Sequence, residues 1–146
     1  MTGVQTCALP ISIVAHEFLG SDVEGKDMLI IDDMISSGES VREVAAALKK
    51  RKARKIFVCA TFGLFTNGLD SFDQAYKEGI IDRVLTTNLI YQQAELLERE
   101  WYVNCSMSKY VAYLIDTLNH DTSISDLLNP NEKIQKLLMK YRSGKL

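Results

Sequence analysis

Cysteine, proline, histidine and tryptophan are scarce in this chain: three, two, two and one among 146 residues. An odd number of cysteines, widely spaced as Cys7, Cys59 and Cys105, excludes a disulfide framework and suits no zinc site. It points to a reducing cytoplasm. No apolar run approaches the roughly 18 residues of a membrane-spanning helix, which excludes an integral helical membrane protein. There is no excess of one charge either. Seventeen basic residues face nineteen acidic ones, a net charge of −2, so the composition is not that of a nucleic-acid-coating protein. His16 and His120 have no partner at metal or catalytic-triad spacing and read as structural or surface residues. What remains is 47% hydrophobic and 25% charged, too apolar for disorder and enough for one globular domain with a core.

The opening residues 1–11 carry no charge, no clear period and an early Pro10. They fail as a signal peptide, lacking a basic start and a continuous apolar stretch. They resemble the translation of a common sequencing adapter, with ten consecutive codons matching Thr2 to Ile11. A non-native leader over residues 1–11 is therefore expected, joined to an N-terminally truncated native chain. A domain is expected over 12–125 and a C-terminal amphipathic tail helix over 126–146.

Met28-Leu-Ile-Ile31 is a short apolar run ending in two acids, as a buried parallel strand reads. Val41, Val44, Ala45 and Leu48 then share one helical face, with Ser40 and Glu43 at capping-box spacing. Ile56–Thr61 is a second strand, and Asn67-Gly68 a turn. Leu69, Phe72 and Tyr76 form a shorter helical face. Val84–Thr87 and Trp101–Cys105 read as further strands. Met107, Val111, Leu114, Ile115 and Leu118 line a third helix capped near Ser106. Beyond Pro130, Ile134, Leu137, Leu138 and Tyr141 predict a last amphipathic helix. Strands alternating with helices predict an α/β fold: a parallel sheet flanked by helices and covered on both faces.

The chemistry concentrates in Ile30-Ile-Asp-Asp-Met-Ile-Ser-Ser-Gly-Glu-Ser40. Ligands of open α/β sheets bind beyond the carboxyl ends of strands. Asp32 and Asp33 stand at such an end, before a loop that enters a helix. Ser36, Ser37 and Ser40 supply hydroxyls, and Gly38 allows close backbone approach. Free amides and the helix dipole favour a phosphate there. The carboxylates would accept hydrogen bonds from vicinal sugar hydroxyls or help hold a divalent metal. Phosphate on one side and a diol on the other is the pattern of ribose 5-phosphate.

This loop resembles the phosphoribosyl-pyrophosphate motif of type I phosphoribosyltransferases and ribose-phosphate diphosphokinases. Asp22-Val-Glu-Gly-Lys-Asp27, Val58-Cys-Ala-Thr61 and Leu85-Thr-Thr-Asn-Leu89 extend the likeness toward the diphosphokinases, over most of Val14 to about Leu128. The resemblance implies a phosphoribosyltransferase-like fold. It also implies transfer of the diphosphoryl group of ATP to the anomeric hydroxyl of ribose 5-phosphate, with magnesium. Asp32 and Asp33 would then hold the ribose hydroxyls. Ser36, Ser37, Gly38, Glu39 and Ser40 would hold the 5-phosphate. It further implies a homo-oligomer, with the ATP pocket and basic catalytic loop supplied mostly by an N-terminal half and a neighbouring subunit. Neither lies between Met1 and Asp22, so the chain alone is expected to bind weakly and turn over little.

Two positions depart from the family pattern. Ser36 stands where an acid is usual, and Glu39 where glycine is usual. A carboxylate beside a phosphate repels it unless the side chain turns away. Ser36-x-x-Glu39 has capping-box spacing, which would turn it back; altered specificity is the other reading. The alternatives are a type I phosphoribosyltransferase and a non-catalytic regulatory homologue. Six of the seven residues Lys49–Lys55 are basic, which reads as a solvated helix end favoured by the dipole. Cys59 and Cys105 read as small core residues. Phe62–Gly68 falls at the ligand end of the sheet, with Thr66 and Asn67 either shaping the pocket or forming a plain turn.

Overall fold

A computed structural model of the chain describes residues 22–125 and 131–144. The expected leader, Cys7, His16 and Pro130 lie outside the described residues. β1 (Met28–Ile35), β2 (Ile56–Gly63), β3 (Arg83–Thr87) and β4 (Tyr102–Cys105) form a parallel sheet in the order β1-β2-β3-β4. β1 runs four residues past the expected Ile31, because its pairing with β2 continues from Met28↔Ile56 to Ile35↔Gly63. The connections carry α1 (Glu39–Lys50), α2 (Asp70–Lys77) and a one-turn α3 (Ala94–Leu97) that the sequence did not signal.

The strand order decides how the sheet is covered. Each crossover steps one strand in the same direction, and right-handed crossovers then place every connecting helix on one face. Burial agrees. Val41, Ala45 and Leu48 of α1, Phe72 and Ala75 of α2 and Leu96 of α3 are buried. They pack with Ile56, Val58, Ala60 and Val84 of the sheet in one core. The opposite face is open, with Leu29 57% and Ile31 76% exposed. The expected cover on both faces is thus corrected to one for the described residues.

The two predicted later helices form, as α4 (Ser108–Asn119) and α5 (Asn131–Arg142). Met107 is the N-cap of α4 and no side chain caps it, so the cap expected near Ser106 is reduced to a 3.4 Å contact of Ser106 Oγ with Ser108 N–H. α4 buries no residue, and its Val111, Ile115 and Leu118 are exposed, as are Ile134, Leu137, Leu138 and Tyr141 of α5.

The basic stretch after α1 closes the amino-terminal end of the sheet. Arg54 donates two hydrogen bonds of 2.7 Å to the Asp27 carboxylate, and Lys52 pairs with Glu24 at 2.9 Å. Lys49 donates to Arg54 O at 2.7 Å. These cations serve structure at the end opposite the candidate loop.

Candidate functional site

β1 carries the two acids inside the strand rather than past its end. Consecutive strand residues leave on opposite faces. Asp32 follows Ile30 toward the helix-covered face and is half-buried, with its backbone opposite Ala60. Asp33 follows Leu29 and Ile31 on the open face and is exposed. Asp33 N–H donates to Asp32 Oδ1 at 2.8 Å, so one carboxylate folds over the next amide.

The loop Ser36–Gly38 turns the chain from β1 into α1. Gly38 is the N-cap, with φ 80° and ψ 4°, a left-handed conformation that only glycine adopts without strain. No side chain caps the helix. Both expected capping boxes are thereby corrected. α1 starts at Glu39, so Ser40 lies inside it and Ser36 lies too far upstream. The first helical bond runs from Arg42 N–H to Gly38 O at 3.0 Å, and Glu39 N–H meets Ser37 Oγ at only 3.4 Å. The first-turn amides thus keep the donor capacity that suits an anion. Ser36, Glu39 and Ser40 are exposed, Ser37 is half-buried and Gly38 is buried. Glu39 lines a groove between α1 and α2 with Arg42, Glu43, Ser71 and Gln74. Glu39 thus stands at this groove without a capping role.

The loop is bound to the segment after β2. Leu64 N–H donates to Ile35 O at 2.8 Å, and Thr66 N–H to Ser36 O at 3.0 Å. Thr66 therefore buttresses the loop through its backbone, while Asn67-Gly68 forms the expected turn, with Gly68 N–H on Phe65 O. Beside it, Gly63, Leu64, Phe65, Leu69, Ile90 and Tyr91 help line a cavity of about 320 Å³.

Several residues at this end escaped sequence reasoning. Thr87 Oγ1 donates to Thr61 O at 2.6 Å, tying β3 to β2. The Tyr102 hydroxyl meets Thr86 Oγ1 at 2.7 Å and accepts from Gln92 Nε2 at 2.6 Å. Gln92 also donates to Thr87 O at 3.1 Å, which anchors the loop after β3. Burial raises the Tyr102 phenol above 10.0, opposed by the Thr86 hydrogen bond. Cys59 and Cys105 are free and half-buried, and burial, with Cys59 nearby, pushes the Cys105 thiol up from 9.0. A neutral thiol is a poor nucleophile, consistent with a packing role.

No group of three or more His, Cys, Asp or Glu among the described residues could hold a metal. Asp32 and Asp33 leave β1 on opposite faces, so the strand presents one carboxylate to each side rather than a paired metal site. His120 pairs with Asp116 on α4 at 3.3 Å.

The chain matches the family described as the phosphoribosyl synthetase-associated domain over residues 9–129. A ribose-phosphate pyrophosphokinase of Vibrio parahaemolyticus is 34% identical over 109 residues, covering 74% of this chain and 33% of that protein. The enzyme of the same name from Mycoplasmopsis pulmonis is 32% identical over 121 residues, covering 80% and 36%. The chain thus spans about a third of the length of the curated relatives it matches. Among solved structures, phosphoribosylpyrophosphate synthetase from Mycobacterium smegmatis shares the fold, with a TM-score of 0.60 at 22% identity, over 70% of this chain and 33% of that one. The chain, an α/β sheet whose sequence fits this family model over most of its length, belongs to the phosphoribosyl synthetase-associated domain family.

Proposed function

We propose that the chain is the ribose-5-phosphate-binding part of a ribose-phosphate diphosphokinase, which transfers diphosphate from ATP to ribose 5-phosphate. The observation that carries this reading is the uncapped start of α1 behind a left-handed Gly38, directly after two carboxylates on β1. The amides and hydroxyls of Ser36, Ser37, Gly38, Glu39 and Ser40 bind the 5-phosphate. Asp32 and Asp33 accept hydrogen bonds from the ribose hydroxyls. Magnesium would supply charge neutralisation to the transferred diphosphate, and this reading assigns the ATP pocket and most of the metal's ligands to parts of the relatives that this chain does not span. Cytoplasmic location and a homo-oligomeric whole protein belong to the same reading. The relatives' name favours the synthetase over a type I phosphoribosyltransferase. Ser36 and Glu39 favour, as a second reading, a regulatory homologue that binds sugar phosphate without turnover.

Isothermal titration of the chain with ribose 5-phosphate tests the binding. Saturable binding is expected, abolished by Asp32→Ala with Asp33→Ala at unchanged circular dichroism; unchanged binding in that variant overturns the reading. AMP formation from ATP and ribose 5-phosphate with magnesium, measured on a chain that spans the relatives' whole length and includes this segment, separates synthetase from regulatory homologue.

A further inference from the structure

The loop glycine rests directly on the second helix. A Cβ at Gly38 would stand 2.3 Å from Cε2 and 2.4 Å from Cζ of Phe72, so the ring admits a hydrogen there and nothing larger. Phe72 is 1% exposed. It meets Phe65 edge-on at 5.2 Å and stacks on Trp101 at 5.4 Å with a 24° interplanar angle. Trp101 is in turn fixed by its Nε1, which donates to Asp73 Oδ1 at 2.6 Å, and Asp73 pairs with Arg99 at 3.1 Å. Phe65, beside Phe72, lies between Leu64 and Thr66, the two residues whose N–H groups hold Ile35 O and Ser36 O. The loop is therefore held twice, at Gly38 by packing on Phe72 and at Ser36 by the amide of the residue that follows Phe65.

We propose that Phe72 is the positioning residue of the sugar-phosphate loop, and that Trp101, stacked behind it, senses the loop's state. Glycine has the widest backbone freedom of any residue, and nothing local caps α1, so the left-handed turn at Gly38 must be held from outside. A close-packed ring transmits displacement rather than absorbing it. Amides already fixed in the binding arrangement do not spend affinity on being ordered. The ligand in this proposal rests on the sugar-phosphate reading given above; the positioning of the loop does not.

The test uses the whole chain, with Phe72→Leu compared to Ile81→Val. Ile81 is equally buried, at 1% exposure, but precedes β3 at the far end of the sheet. Hydrogen exchange without ligand reads loop order over residues 36–41, calorimetry reads ribose 5-phosphate affinity, and emission reads Trp101, the chain's single tryptophan. Phe72→Leu is expected to speed loop exchange and weaken binding about tenfold. Ile81→Val is expected to lower thermal stability and leave both unchanged. Wild-type emission is expected to shift on saturation, and Phe72→Leu to lose the shift. Gly38→Ala is expected to lose binding, because the methyl meets the Phe72 ring and the left-handed turn strains any side chain. Should Phe72→Leu fail to fold, Phe72→Met takes its place in every arm. Wild-type loop exchange in the Phe72 variant, or wild-type affinity, overturns the positioning role. No emission change in wild type that binds by calorimetry overturns the sensing role. If wild type binds no ribose 5-phosphate while loop exchange still rises in the variant, the sugar-phosphate reading fails and the positioning stands.

Discussion

At Gly63 the end of β2 passes so close to its neighbours that an added Cβ would stand 2.6 Å from Phe65 Cε2 and 2.9 Å from Thr86 Cγ2. Both neighbours are buried, so neither can yield cheaply. Gly63→Ala is expected to cost about 1–3 kcal/mol, read as a lower urea midpoint at unchanged slope. Tyr102 makes a second prediction at this scale. Its hydroxyl is the hydrogen-bond partner of Thr86 Oγ1, in a residue 2% exposed. Tyr102→Phe strands that hydroxyl and removes one of the bonds of Gln92, at an expected loss of about 1–3 kcal/mol in the same denaturation measurement. Asp32, Asp33 and Ser36–Ser40 were legible in the sequence because their signal is local: acids, hydroxyls and a glycine within nine residues. Gly38 against Phe72 was not, because the chain completes β2 and a turn before the ring returns, and no spacing encodes that meeting. Gln92 and Tyr102 escaped for the same reason, since each is unremarkable until the fold brings them together.

Among the elements, all four strands of the described sheet are legible in the sequence, and the differences lie at their ends. β1 was read short because acids and a methionine break the apolar run, while backbone pairing to β2 tolerates any side chain. Both capping boxes were misread because a glycine in the left-handed region took the cap position that serine spacing suggested. Where β2 and β3 begin, a single side chain joins them. Asp82 Oδ2 accepts from Ile56 N–H at 2.8 Å and lies 3.9 Å from Lys49 Nζ. Ile56 is fully buried, so Asp82→Ala leaves its amide without that partner, and a loss of about 1–3 kcal/mol is expected from thermal unfolding. The Arg54 guanidinium, hydrogen bonded to Asp27, holds that carboxyl below its usual 3.8. The native state then binds fewer protons than the unfolded chain near that pH, so this contribution is present above 3.8 and is lost as pH falls through the lower native value. Melting temperatures measured downward from pH 5 should fall less steeply for Asp27→Asn than for wild type; equal slopes would remove the ion pair from the account.

For the molecule as a whole, alternation of strands and helices identified the α/β class but misjudged the cover, because local pattern carries no strand order. A sheet whose strands double back receives helices on both faces; one that steps steadily from β1 to β4 receives its crossover helices on one. The consequence is physical. Leu29 and Ile31 are exposed on β1 and Val103 on β4, all on the face the crossovers leave bare, while α4 buries none of its residues. Contiguous exposed apolar surface is uncommon on monomers and takes up apolar probes. The folded chain is therefore expected to enhance anilinonaphthalene sulfonate emission at neutral pH, with its near-ultraviolet circular dichroism intact. Ile31→Lys should reduce that emission without lowering the melting temperature, since Ile31 is 76% exposed and contributes little to the core. A dye response indifferent to Ile31 and Leu29 would place the apolar surface elsewhere, on α4 or α5, whose exposed Ile115 and Leu137 can be changed to lysine in the same assay.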